Sequence, residues 1–143
     1  MGTAPTLTDL NLSYGPTSSI IWMIAQLQTF QEGINVPHKM SPQQLEHCAQ
    51  MIAEDYHHLK TTEIMLFLSR LTGGWYGIDW HGYITPDKLV SALREKFMPY
   101  RNDLIHKQEL YLREKQRREQ AREETLSREE WEEIKMLTKM YEI

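Results

Sequence analysis

Apolar side chains recur along this chain at helical spacing, in stretches set apart by breaks rich in glycine, proline or threonine. Ile20, Ile21, Ile24, Leu27 and Phe30 predict a helix capped by Ser18 or Ser19, running to about Glu32 and stopped by Gly33. Its apolar face is broad, which implies packing on more than one neighbour or a contact between copies. Farther on, Ser41-Pro42-Gln43-Gln44 places a capping serine, a proline at the first helical position and a glutamine at the third. This order forms a capping box, in which each end of the turn satisfies a backbone amide of the other. Leu45, Cys48, Ala49, Ile52 and Tyr56 follow along one side of that helix, which frays at His57-His58.

The stretch from Tyr56 to Arg101 joins two apolar-faced helices through a loop dense in glycine and aromatic residues. The first starts near Thr61 or Thr62, with Glu63 at the positive end of the helix dipole, and carries Ile64, Phe67, Leu68 and Leu71 on one face. Gly73 and Gly74 end it, because glycine enters the left-handed conformation at little cost. Trp75, Tyr76, Ile78, Trp80 and Tyr83 make the loop too apolar for a solvated linker, so some of its rings must lie on the helices. Thr85 and Pro86 then open a second helix bearing Leu89, Leu93 and Phe97.

Outside this centre the pattern weakens. Residues 1–17 mix Gly, Pro, Ser and Thr with scattered apolar positions and read as a flexible N-terminal arm. Pro99 predicts a kink or break. Helical spacing resumes at Leu104, Ile105 and Leu112, then gives way to REKQRREQAREE, which is held only by pairs four residues apart such as Glu109/Arg113, Glu114/Arg118 and Lys115/Glu119. Ser127 and Glu130 form another capping box, opening a terminal helix with Trp131, Ile134, Leu137 and Tyr141 on one side. The expected architecture is all-α: a helical core domain over 18–112, followed by a charged helix and a C-terminal interaction helix over 113–143. Because the polar run has no core to join, its order calls for self-association through the apolar ends, with Trp131, Ile134, Leu137 and Tyr141 as oligomer contacts.

Composition changes this picture little, but charge does. The 41% hydrophobic content suits one modest domain. The formal charge of -4 conceals a segregation: residues 1–93 carry 4 Lys+Arg against 8 Asp+Glu, 94–122 carry 9 against 5, and 123–143 carry 3 against 7. A basic segment thus lies between two acidic ones. The single cysteine, Cys48, allows no internal disulfide and points to a reducing, cytoplasmic setting. No apolar run is long enough for a membrane span, and no secretion signal opens the chain.

Candidate chemistry is sparse. His57 and His58 are adjacent and diverge on a helix, and no other spacing suits a metal, so neither metal nor cofactor is expected. Asp79 and His81 are read as loop-shaping residues, since no nucleophile or phosphate loop accompanies them. Cations and rings offer another possibility: Lys60, Arg70, Arg94, Arg101, Arg117 and Arg118 for phosphates, with Trp75, Tyr76 or Trp80 for stacking on bases. Against it, interleaved glutamates turn the basic helix into an ordinary solvated one, and aromatic residues more often belong to a core.

The order Tyr56, Leu59, Lys60, Glu63, Phe67, Arg70, then Gly74, Tyr76, Gly77, then Ile84, Thr85, Leu93, Arg94, Phe97 and Arg101-Asn102-Asp103 covers about a third of the chain. In this order the chain resembles small helical proteins encoded by phages and mobile elements of gut Bacteroidetes. Those are similar in turn to the helicase-loader and replication-accessory proteins of phages. The resemblance implies a non-enzymatic adaptor that holds a replicative helicase and sometimes DNA; an oligomeric structural or host-interaction protein of the same kind of element is the alternative. The Met98-Pro99-Tyr100 turn and the longer charged C-terminal region depart from the group's compact pattern.

Overall fold

The computed structural model describes residues 4–141, the side chain of residue 126 excepted. All regular structure among them is helical: α1 (Leu7–Tyr14), α2 (Ser18–Glu32), α3 (Pro42–Asp55), α4 (Thr61–Thr72), α5 (Pro86–Ala92), a π-helical turn (Leu93–Phe97) and α6 (Met98–Tyr141). The chain divides into a compact unit ending at Pro99 and a helical unit from Tyr100 onward, so the core closes earlier than the expected boundary at 112.

The capping signals act where the sequence placed them in two of the helices. In α3, Ser41 Oγ accepts from Gln44 N at 3.2 Å while Gln44 Oε1 accepts from Ser41 N at 2.9 Å. Thr85 Oγ1 accepts from Lys88 N to open α5. In α4 the cap is instead Lys60, whose backbone amide donates to Glu63 Oε1 at 3.1 Å, and neither Thr61 nor Thr62 caps the helix. Its far end closes with Trp75 N donating to Arg70 O and Gly74 N to Leu71 O, while Gly74 takes the left-handed φ of 74°. This paired arrangement satisfies carbonyls that the helix end would leave open.

The buried sets of α3, α4 and α5 are those expected from spacing: Leu45, Cys48, Ala49 and Ile52; Ile64, Phe67, Leu68 and Leu71; and Leu89 followed by Leu93 and Phe97 in the π turn. In α2, Leu27 and Phe30 are buried and Ile20 and Ile24 are partly buried against the core, as the spacing predicts; Met23 and Ile21 are the departures. Met23 is fully buried while Ile21 is 64% exposed. This helix meets α1, α3 and α4, so its breadth reflects several neighbours within one chain.

The N-terminal arm corrects the sequence reading. From Thr6 to Tyr14 the chain is an ordered, capped helix: Thr6 Oγ1 accepts from Asp9 N, and Asp9 Oδ2 from Thr6 N. Leu7 is fully buried. Backbone bonds from Leu7 N to Leu59 O (3.0 Å), Thr8 N to His57 O (3.0 Å) and Thr61 N to Pro5 O (2.9 Å) clasp the segment to the α3–α4 connection. Asn11 Oδ1 then accepts from Ser19 N at 2.9 Å, so the start of α2 is satisfied by a side chain of α1 and by neither of the expected serines. The first three residues of the expected arm, and the last two of the chain, lie outside the described residues.

Pro99 brings no break, a second correction. The turn before it is π-helical, with Met98 N donating to Leu93 O five residues back. Its wider winding absorbs a ring and a missing amide that would clash with a regular α turn. Beyond it α6 runs unbroken through Ser127, so the expected separate terminal helix does not exist. Past Arg101, every described side chain of α6 except Ile105 is exposed. Glu114 and Arg118 pair at 2.8 Å, and Asp103 and Lys107 at 3.0 Å.

The α1 clasp has a direct test. Leu7→Ala should lower unfolding stability by about 2–5 kcal/mol, as for a fully buried leucine, while Leu12→Ala on the same helix should change it by less than about 0.5 kcal/mol. Urea denaturation of the two variants measures the difference.

Candidate functional site

The glycine-aromatic loop between α4 and α5 is folded onto the compact unit by its own chemistry. Gly74, Gly77 and Gly82 have φ of 74°, 59° and 81°, and His81 joins them at 51°. The strained His81 is held by an Asx turn, Asp79 Oδ1 accepting from His81 N at 2.9 Å. Both side chains are exposed and 3.5 Å apart, so the pair shapes the loop as the sequence suggested. Lys88 Nζ reaches back from α5 to Trp80 O at 2.6 Å. The other edge is fastened to the α2–α3 connector: His38 N donates to Gly82 O, Ile84 N donates to His38 O, and the His38 and Tyr83 rings stack at 4.4 Å. Buried Gln31 holds that connector in turn, accepting from Met40 N at 3.0 Å.

The loop sorts its rings into two kinds. Tyr76 is half-buried against Phe67 at 5.9 Å, and Trp80 is half-buried against Phe30 at 6.1 Å. Trp75 is 70% exposed. It lies over Gly73, where an added Cβ would come within 3.2 Å of the indole, and the Arg70 guanidinium sits 4.7 Å from its ring centroid. Leu66, Arg70 and Gly73 share one face of α4 at the spacing of successive turns, so this surface joins an exposed leucine, a cation and an indole. Helical spacing leaves Leu66 off the buried face of α4, and its exposure agrees. Behind the loop, a cavity of about 200 Å³ is lined by Ile34, Asn35, Thr72, Tyr76, Gly77 and Trp80, among others.

Within the compact unit, Lys60 and Arg94 do not share the turn of α4 that carries Arg70. Lys60 stands at the opposite end of α4, ten residues and roughly 15 Å from Arg70. Arg94, in the π turn, is 3.7 Å from Glu95. Arg101, Arg117 and Arg118 belong to the helical unit; Arg101 is half-buried, and Arg118 is engaged by Glu114. In that unit Trp131, Ile134, Leu137 and Tyr141 are all more than half exposed, with Lys135 Nζ 5.8 Å from the Trp131 ring.

Burial pushes the Cys48 thiol from its ordinary 9.0 up to about 12, which keeps it protonated and poorly nucleophilic. Among the described residues no three His, Cys, Asp or Glu side chains are placed to hold a metal, and no helix is long and apolar enough to cross a membrane.

Two measurements follow. Trp75→Ala should leave stability within about 0.5 kcal/mol of the parent, whereas Trp80→Ala should cost about 2 kcal/mol, part of the value for a fully buried ring, as read by thermal melting. For Cys48, the folded protein keeps its proton while the unfolded chain loses it above pH 9.0, so the thiol's contribution to stability is intact below that pH and declines toward about 12. Comparing the alkaline stability profiles of the parent and Cys48→Ala isolates this contribution.

Comparison of the chain with protein-family models, with curated proteins and with solved structures finds no match in any of the three.

Proposed function

We propose that this chain is a non-enzymatic adaptor in the replication of a phage or mobile element, contacting a replicative helicase or related protein and, weakly, single-stranded DNA. The observation that carries the reading is the exposed Trp75 ring with Arg70 against it. An indole held in place beside a guanidinium combines a face on which bases stack with a charge that attracts phosphate, and the adjoining Leu66 extends it as a protein-docking surface. The resemblance of the stretch from Tyr56 to Asp103 supplies the replication setting. The roles found for Asp79, as a turn former, and for Cys48, as a buried thiol, favour an adaptor over an enzyme. The net charge of -4 makes any nucleic-acid affinity modest and local.

A second reading, an oligomeric structural or host-interaction protein of the same kind of element, is favoured by the exposed Trp131, Ile134, Leu137 and Tyr141. Under either reading the chain is a homo-oligomer.

Fluorescence anisotropy with a labelled oligothymidylate separates the two. The adaptor should bind at low salt, release as salt rises and lose binding in Trp75→Ala with its fold intact. It should also co-sediment with the replicative helicase of its element. A stable oligomer indifferent to both DNA and helicase would favour the second reading.

A further inference from the structure

We propose that α6 pairs with α6 of a second copy of this chain in antiparallel orientation. The inference rests on the homo-oligomer reading above and adds direction and register to it. Ile105, Leu112, Ile134, Leu137 and Tyr141 fall within an arc of about 60° on a helix of 100° per residue, so the two apolar ends share one face although a polar run separates them. Four of the five are about half exposed or more, and Ile105 is half-buried.

Charge selects the occupant of that face. From Tyr100 to Arg122 the helix carries 7 Lys+Arg and 4 Asp+Glu, a net of +3; from Glu123 to Tyr141 it carries 3 and 6, a net of -3. Parallel, in-register pairing sets +3 on +3 and -3 on -3. Antiparallel pairing sets each basic half against an acidic one, twice, and a two-fold axis close to Ala121 and Arg122 achieves it. With the axis at Ala121, Ile105 of one copy faces Leu137 of the other, and Leu112 faces Glu130, one turn from Ile134. The apolar ends and the net charges of the two halves therefore favour the same orientation, in an isologous two-fold interface.

Cysteine cross-linking on the full-length chain tests this, since a disulfide forms only between Cα atoms about 4.4–6.8 Å apart. Ile105→Cys and Leu137→Cys are each made in a Cys48→Ala background, given tags of different mass, mixed and oxidised. The expected product is the mixed disulfide, with loss of either homodisulfide. Dominant Ile105→Cys homodisulfide would overturn the antiparallel pairing while leaving the homo-oligomer reading standing. A chain that scatters light as a monomer at high micromolar concentration would overturn both. Leu112→Cys with Glu130→Cys, which face each other in the same register, repeats the test two turns inward, should the first pair disturb assembly.

Discussion

The compact unit depends on one ring. Phe67 is 1% exposed, with Tyr76 at 5.9 Å on one side and Phe97 at 5.6 Å on another, so it joins α4, the aromatic loop and the π turn at a single point. Each of those elements has a separate reason to stray. The loop contains three glycines with positive φ, the π turn has unfavourable bonding geometry, and α4 carries Met65 and Leu66 on its solvent side. Packing around Phe67 offsets these tendencies, because a buried aromatic ring removes far more apolar area from water than any single loop hydrogen bond contributes.

Much of this was readable where signals are local. Ser41 with Gln44, and Thr85 with Pro86, act within one turn, and the apolar sets of α3, α4 and α5 follow from a period that the backbone imposes. The failures share a different cause. Helix α1 has little apolar patterning of its own; its order comes from Leu59 and His57, some fifty residues away, and no window of sequence contains both partners. Helix α2 meets α1, α3 and α4, so which of its apolar positions is fully covered is likewise set by tertiary packing. Pro99 suggested a break on the assumption of α winding before it, and π winding removes the clash that the assumption creates.

The candidate surface shows the same limit in sharper form. Trp75, Tyr76 and Trp80 stand within six residues in one loop, and their side-chain chemistry alone does not separate platform from core. The separation is made by backbone geometry: Gly74 in the left-handed region turns the chain back over Gly73, which lays Trp75 on the outside of α4 beside Arg70. Gly77 then reverses the path before Trp80 meets Phe30. The list of candidate cations was legible, and so was the Glu114/Arg118 pair, but the placement of Arg70 alone beside Trp75 was not, because it depends on the backbone of Gly74.

Helix α6 poses the opposite problem, a segment whose local chemistry is plain and whose stability is not local. Pairs such as Glu114/Arg118 contribute only about 0.2–0.5 kcal/mol each, and a helix of this polarity is marginal in water on such terms. Apolar contacts at its ends supply attraction without direction, since Ile105, Leu112, Ile134 and Leu137 would bury against one another in either orientation. Direction has to come from what lies between, and there the helix places a net positive half before a net negative one. In the antiparallel pair proposed above, the charged run that looks merely solvated divides the work with its ends: burial of the ends would set how strongly copies associate, and the polar middle which way round they do so.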